Sequence, residues 1–299
     1  VEPSSAISPS QKHSFRPTKM ETPWKKTRRR LRKNPRVLIG GGIIFIFTLI
    51  AFLAPYLTSY PIDGNYWEER LQPPSSEHWF GTDDFGRDLF TRVIYGARLS
   101  LWVGLVSVLG ASIIGTLFGL IAGFFGRWVD QLISRIFDIM LAFPAILLAI
   151  AIVSILGPSL NNAILAVSIV NIPVFGRLVR AKVITVKEEE YITASRVIGT
   201  PTSRILLRHL LPNSLSPIIV QGTMSIATAI LEAAALGFLN LGPPPPAAEW
   251  GKMLADSRSF IQLAPWTLIF PGCSIMLVVL GFNLLGDGMR DVLDPRNTD

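Results

Sequence analysis

The sequence is short of the residues that most catalytic chemistry uses. It holds one cysteine and three histidines in 299 residues. A single cysteine excludes an internal disulfide and a multi-thiolate metal site. Cys273 lies in an apolar run and reads as a small buried hydrophobe. His13, His78 and His209 stand far apart, and neither H-E-x-x-H nor C-x-x-C occurs. No metal site is expected. No phosphate-binding G-x-x-x-x-G-K-[ST] loop is present either, since Gly251-Lys252 runs on into Met253. No Ser/His/Asp set stands out, so no catalytic residue is assigned and the chain does not read as an enzyme. Charge is also scarce. Charged residues make up 16% of the chain, where soluble domains carry about a quarter.

What fills the gap is apolar. Hydrophobic residues make up 49%, and the mean hydropathy is +0.44. A spanning helix needs about 20 mostly apolar residues. Six runs qualify, at 37–57, 99–125, 133–156, 162–178, 215–239 and 265–285. The expected fold is an all-α membrane protein with six transmembrane helices.

Charge placement gives the expected orientation. Residues 1–36 hold eleven Lys and Arg. This run reads as the cytoplasmic flank of the first span, meeting anionic membrane lipid rather than nucleic acid. Residues 1–19, rich in Ser, Pro and Gln, read as disordered, and Met20 as the natural start. Six crossings return the C-terminus to the cytoplasm. The 58–98 loop then falls outside, with seven acids against four Arg, as do 157–161 and 240–264. The organisation read from this is a basic N-terminus 1–36, a first span 37–57, an external loop 58–98, a five-helix core 99–286, and a cytoplasmic tail 287–299.

The stretch 187–213 is polar, charged and helical in pattern, although apolar segments flank it. Residues 188–198 read as a short helix with Tyr191, Ala194 and Ile198 on one modest apolar face. Gly199 ends it in a left-handed turn. Thr200 reads as the next N-cap and Pro201 as its first helical residue. Arg204 and Arg208 share a side of the second helix, and Pro212 ends or kinks it. The result is a helical lug projecting into the cytosol.

Three features mark the spans. Ala111, Gly115, Gly119 and Gly123 repeat every fourth position. That pattern suits a close helix–helix seam, although glycine is common in membrane helices anyway. Pro144 and Pro173 interrupt helical hydrogen bonding, and Asn171 lies beside Pro173. Such breaks either line a cavity or form packed kinks. Glu232 is a carboxylate within a span, either a proton or substrate site or a packing and gating group. Asn171, Pro173 and Glu232 are the candidates for a translocation path, with Asp138 the other acid at comparable depth.

The lug also resembles a known motif. Thr193-Ala194-Ser195, then Gly199, then Leu211-Pro212 is similar to the cytoplasmic loop of ABC importer permeases, where an E-A-A triplet precedes Gly and L-P. Thr193 replaces the usual Glu and Ser195 the usual Ala, while the spacing is intact. Glu190 is the acid left nearby. His78-Trp79-Phe80-Gly81-Thr82-Asp83, Gly86-Arg87-Asp88 and Tyr95-Gly96-Ala97-Arg98-Leu99-Ser100 resemble the dipeptide/oligopeptide/nickel permeases. So do Glu232-Ala233-Ala234, Gly237-Phe238-Leu239-Asn240-Leu241-Gly242, Trp250-Gly251, and the C-terminal residues from Gly286 to Arg296. The resemblance covers about 34–296 and points to the C-type of two permease subunits.

The resemblance implies a type I importer permease fold. It implies that the ATPase-coupling residues are Glu190, Tyr191, Thr193, Ala194, Ser195, Gly199, Arg204, Arg208, Leu211 and Pro212. It implies a B-type permease partner, one or two ABC ATPase subunits, and an extracytoplasmic solute-binding protein docking on 58–98 and 240–264. No cofactor is held by this chain, since ATP is used by the partners. The expected location is the bacterial inner membrane. The expected cargo is a di- or oligopeptide, with nickel chelates, opines and oligosaccharides as alternatives. The competing class is an ion-coupled secondary transporter using Glu232 and Asp138.

Overall fold

A computed structural model describes residues 29–293. Residues 1–28 and 294–299 lie outside that range, and with them Met20, the polar start and the end of the C-terminal motif. The described chain is built of helices joined by short and irregular segments. These are α1 (Pro35–Leu57), α2 (Leu89–Phe125), α3 (Arg127–Ala142), α4 (Ala145–Leu156) and α5 (Leu160–Val186). They continue with α6 (Glu190–Val197), α7 (Thr202–Ile205), α8 (Leu211–Phe238), α9 (Trp250–Ser257) and α10 (Trp266–Leu293). Among the described residues, five helical runs are long and apolar enough to cross a membrane, and α3 with α4 makes a sixth if taken as one broken span.

Polar side chains start several of these helices. Asn34 Oδ1 accepts the Arg36 N–H at 2.9 Å, with Pro35 as the first residue of α1. Asp88 accepts the Thr91 N–H at 2.8 Å, and Ser159 accepts that of Asn162 at 3.1 Å. These caps extend the helices past their apolar runs. The second span was expected from 99, yet α2 begins at Leu89. Arg92 and Arg98 look like flanking charges in sequence, but Arg92 is buried against Asp83. Likewise α5 runs on past 178 to Val186, and α10 past 285 to Leu293. Residues 287–293 therefore continue α10 as helix. Gly288 lies against Val37, and Arg36 pairs with Asp291 at 3.1 Å.

The third span is broken at Pro144. Its apolar run is one segment in sequence, but it folds as two helices bent by 92°. Phe143 is extended (φ −94°, ψ 140°), as a residue before proline prefers, and Pro144 cannot continue the α3 hydrogen-bond ladder. Cys273 is a correction. It is exposed on the outer side of α10 rather than buried.

α2 and α5 form the central pair. One core joins α1, α2, α8, α9 and α10 around Trp250, Ile230 and Val278. A second joins α2, α4, α5 and α8 around Phe175, Val153 and Leu236. α1 packs on α10 and turns Phe45, Phe52 and Tyr56 outward. Outward aromatic and aliphatic side chains suit a helix facing lipid.

Candidate functional site

The stretch after α5 folds as a lug. α6 ends at Gly199, whose φ is +78°. The Gly199 N–H donates to the Arg196 carbonyl and the Thr200 N–H to the Ser195 carbonyl, each at 3.0 Å. That pair of bonds is the Schellman arrangement, which needs a left-handed residue at its centre. A Cβ on Gly199 would meet nothing within 4 Å. The demand for glycine is therefore one of backbone conformation alone.

Beyond the turn, Pro201 flanks α7 and Thr202 begins it, one residue later than the sequence suggests. A π-helical turn at Leu206–Leu210 then leads straight into α8. Pro212 does not end the lug: it follows the π-helical turn as the second residue of α8, and the chain runs on through it as helix. The second arm of the lug is thus the root of a spanning helix, and Thr202–Phe238 counts as one run.

The lug is seated by residues that sequence periodicity did not single out. Ile192 is fully buried, together with Ile205 and Leu210. They pack on Leu120 of α2 and on Val179, Val183 and Val186 of α5. Burying each contributes about 2 kcal/mol. Lys187 Nζ donates to the Gly123 carbonyl at 3.1 Å, and the Arg196 guanidinium stacks over Phe124. Asn213 donates to the Tyr191 hydroxyl at 3.2 Å, tying α6 to α8.

The face expected to be apolar points the other way. Tyr191, Ala194 and Ile198 are exposed, with Val197 beside them. Val197 and Ile198 reach 85% and 80% exposure. Thr193, Glu190, Arg204 and Arg208 are exposed as well, and Ser195 bonds back to the Tyr191 carbonyl. The lug is therefore an apolar-tipped, basic-flanked projection on a buried aliphatic base.

Ala111, Gly115, Gly119 and Gly123 lie where α2 meets α5 within the subunit. A Cβ on Gly115 would stand 2.6 Å from the Ile172 carbonyl oxygen, and one on Gly119 would stand 2.5 Å from that of Gly176. On Gly123 it would meet Val183 at 2.8 Å. This contact joins the same two helices that carry the lug.

Higher in the spans, Asn171 and Glu232 come together. Asn171 Nδ2 donates to Glu232 at 2.9 Å and to the Val167 carbonyl at 2.9 Å. Asn171 and Pro173 are buried, while Glu232 is partly exposed. Asp138 does not join them. It pairs with Arg177 on the outside of α3 and α5.

The end opposite the lug is a platform of buried charge. Asp83 accepts from the N–H groups of Phe85 and Arg87 and pairs with both Arg87 (2.7 Å) and Arg92 (3.3 Å). Arg92 also donates to the carbonyls of Ile62 and Pro246, so it links the two long loops. His78 lies between Asp88 (2.9 Å) and Glu69 (3.3 Å). A pocket of about 520 Å³ opens between the loops, lined by Asp84, Arg87, Arg92, Lys252 and Asp256. Burial and the nearby Asp83 hold the Asp84 carboxyl above its usual value.

Glu249, in the second of these loops, was missed. It caps α9 through the N–H groups of Gly251 and Lys252, both at 2.8 Å, and is almost fully buried against Gly237. Burial pushes its carboxyl up to about 7, against the pull of those two N–H donors. Glu is not among the usual N-cap residues, so the sequence carried no clear signal for it. Its burial depends on the space left by Gly237 and Gly242.

Residues 115–299 match the family model described as the binding-protein-dependent transport system inner membrane component. Residues 22–74 match the N-terminal transmembrane domain of oligopeptide transport permease C. The chain is 64% identical to a dipeptide transport system permease protein of Alkalihalophilus pseudofirmus, covering 92% of this chain and 90% of that one. It is 48% identical to a di/tripeptide transport system permease protein of Pseudomonas aeruginosa, covering 86% and 87%. A glutathione transport system permease protein of Pectobacterium atrosepticum is 45% identical, covering 94% of each chain. Among solved structures, an inward-facing methionine ABC transporter chain superimposes with a TM-score of 0.55 at 20% identity. That match covers 68% of this chain and 97% of the other, and it carries the fold alone.

Proposed function

The chain belongs to the binding-protein-dependent inner membrane permeases, and on that premise we propose that it is the C-type permease of an ATP-driven dipeptide importer. It is a multi-pass inner membrane subunit without catalytic chemistry of its own. The dipeptide assignment follows its relatives, two of which are named for dipeptide or di/tripeptide transport. The chain pairs with a related B-type permease, so that the path lies between two subunits. Its lug end is cytoplasmic, in keeping with the basic flank 1–36 and the arginines of 187–213. The opposite platform, formed by the loops 58–98 and 240–264, receives the solute-binding protein.

The lug carries this reading. An external motor needs a rigid handle on the spans. Here Ile192, Ile205 and Leu210 lock the lug to α2 and α5, and its second arm is continuous with α8. Exposed Tyr191, Val197 and Ile198 give an ATPase subunit an apolar surface to hold. ATP binding and hydrolysis in one or two such subunits would then tilt α5 and α8 together and alternate access. The secondary-transporter reading gains nothing from the geometry, since Glu232 and Asp138 have different partners.

The test is co-purification with the ATPase subunits, followed by ATP hydrolysis stimulated by the binding protein. Val197→Glu with Ile198→Glu should leave the permease folded and remove both the complex and the stimulated hydrolysis. An unchanged complex with full stimulation would overturn this role for the lug.

A further inference from the structure

At the lug end, α5, α8 and α10 frame an open groove of about 620 Å³. α8 packs against both neighbours and forms the floor, with Asn213, Ser216, Gln221 and Met224 along it. Lys182 of α5 and Arg290 of α10 stand on its two sides. No carboxylate lines the groove among the described residues, and no described residue forms an ion pair or hydrogen bond with either cation. Four other cations near this end are engaged. Arg177 pairs with Asp138, Arg180 with Asp130, Arg36 with Asp291, and Lys187 with a backbone carbonyl.

The polarity of this face shows what it meets. α1 turns a continuous apolar side outward. α8 instead places Asn213, Ser216 and Gln221 along the groove. Gln221, Thr228 and Glu232 fall at i, i+7 and i+11, so the same polar face continues up the helix to the Asn171–Glu232 contact. Polar groups facing hydrocarbon are costly, so a face of this kind belongs against water or protein.

We propose that the groove is the lug-end half of the translocation path, and that Lys182 and Arg290 form a carboxylate station in it. The station takes the C-terminal carboxylate of a peptide before release. This rests on the permease reading above. A guanidinium and an ammonium with no internal carboxylate to satisfy them suit a carboxylate ligand. Arg290 is exposed and Lys182 partly so, so their hold is weak, as a station that must release its cargo requires. The floor mixes amides and a hydroxyl with Val220 and Met224, which reads no particular side chain. Glu232 lies about 16 Å up α8 from Gln221 at helical rise. An extended dipeptide spans about 7 Å. The acid and the cations therefore act in succession, not at the two ends of one bound dipeptide.

The test uses the full transporter in lipid nanodiscs, nucleotide-free and without binding protein, so that the binding protein's own selectivity cannot enter. A photoreactive dipeptide and its C-terminal amide are each added, and labelling of α8 between Asn213 and Met224 is mapped by mass spectrometry. The free acid should label this stretch about tenfold more than the amide. Lys182→Gln with Arg290→Gln should abolish the preference, and Lys182→Arg with Arg290→Lys should keep it. Equal labelling by acid and amide, no labelling of the groove, or a preference that survives the Gln variants would overturn the station. ATP hydrolysis stimulated by the binding protein is measured on the same preparations. Its absence in the wild type would count against the permease reading itself, whereas its presence with no acid preference would count against the station alone.

Discussion

The two ends of this molecule are held together in different ways. The lug is seated by aliphatic side chains and keeps its charges at the surface. The platform opposite is held by charges withdrawn from solvent, with Asp83, Arg87, Arg92, His78 and Asp88 all buried. Aliphatic contact is non-directional and leaves the lug's outer surface free for a partner. Buried ion pairs are directional, and losing one member leaves the other exposed to a low dielectric. One end is thus suited to being gripped and moved with its helices, and the other to holding two long loops in one fixed arrangement.

This contrast can be broken from the platform side first. Asp83→Asn leaves Arg87 and Arg92 buried without their carboxylate, and should cost about 3–5 kcal/mol. Thermal unfolding in detergent should show a large loss of stability, and the permease should accumulate poorly. Next comes the seam that joins the ends. Gly119→Leu forces a side chain against the Gly176 carbonyl, and overpacking of this kind costs about 1–3 kcal/mol or more. Loss of the folded, monodisperse permease on size-exclusion chromatography is the expected result. Normal assembly with normal transport would remove the seam from the account.

The lug should respond more mildly. Gly199→Ala meets no steric neighbour but must hold φ near +78°. A left-handed alanine costs about 1–2 kcal/mol. The lug should loosen locally, read as faster hydrogen exchange in α6, with the global unfolding temperature nearly unchanged. The smallest effect concerns Glu249. Its folded-state value of about 7 lies above the ordinary 4.5. The folded state therefore holds a proton that the unfolded state releases across that window. The stabilisation is complete below about 4.5 and is lost as pH rises through about 7. Glu249→Gln should flatten this part of the stability–pH curve. A curve of unchanged slope would remove Glu249 as its source.

The spans could be read from composition because a membrane demands long apolar runs. The seam pattern was visible because small residues at every fourth position share one helix face. What the sequence hid was set by contacts distant along the chain. Arg92 looks like a flanking charge until Asp83 is placed beside it. The 92° bend was masked because the amphipathic α3 and the apolar α4 merge into one apolar run, although Pro144 marked the place. Ile192 was passed over because an eight-residue helix offers little periodicity, and Tyr191 and Ile198 carried more apolar weight. They prove to be the exposed side. Glu249 gave no sign of itself, because Glu is not a usual cap and its burial depends on the space left by Gly237 and Gly242.

Paired cross-linking tests the division of labour most directly. With Cys273→Ala as background, Ile198→Cys and Trp67→Cys place one thiol on the lug and one on the platform, both at exposed positions. A short bifunctional reagent is applied to the transporter reconstituted with its ATPase and binding-protein partners. The account predicts an adduct between Ile198→Cys and an ATPase subunit, and between Trp67→Cys and the binding protein, with no exchange of partners. An Ile198→Cys variant that links to the binding protein, or to no ATPase subunit, would contradict it.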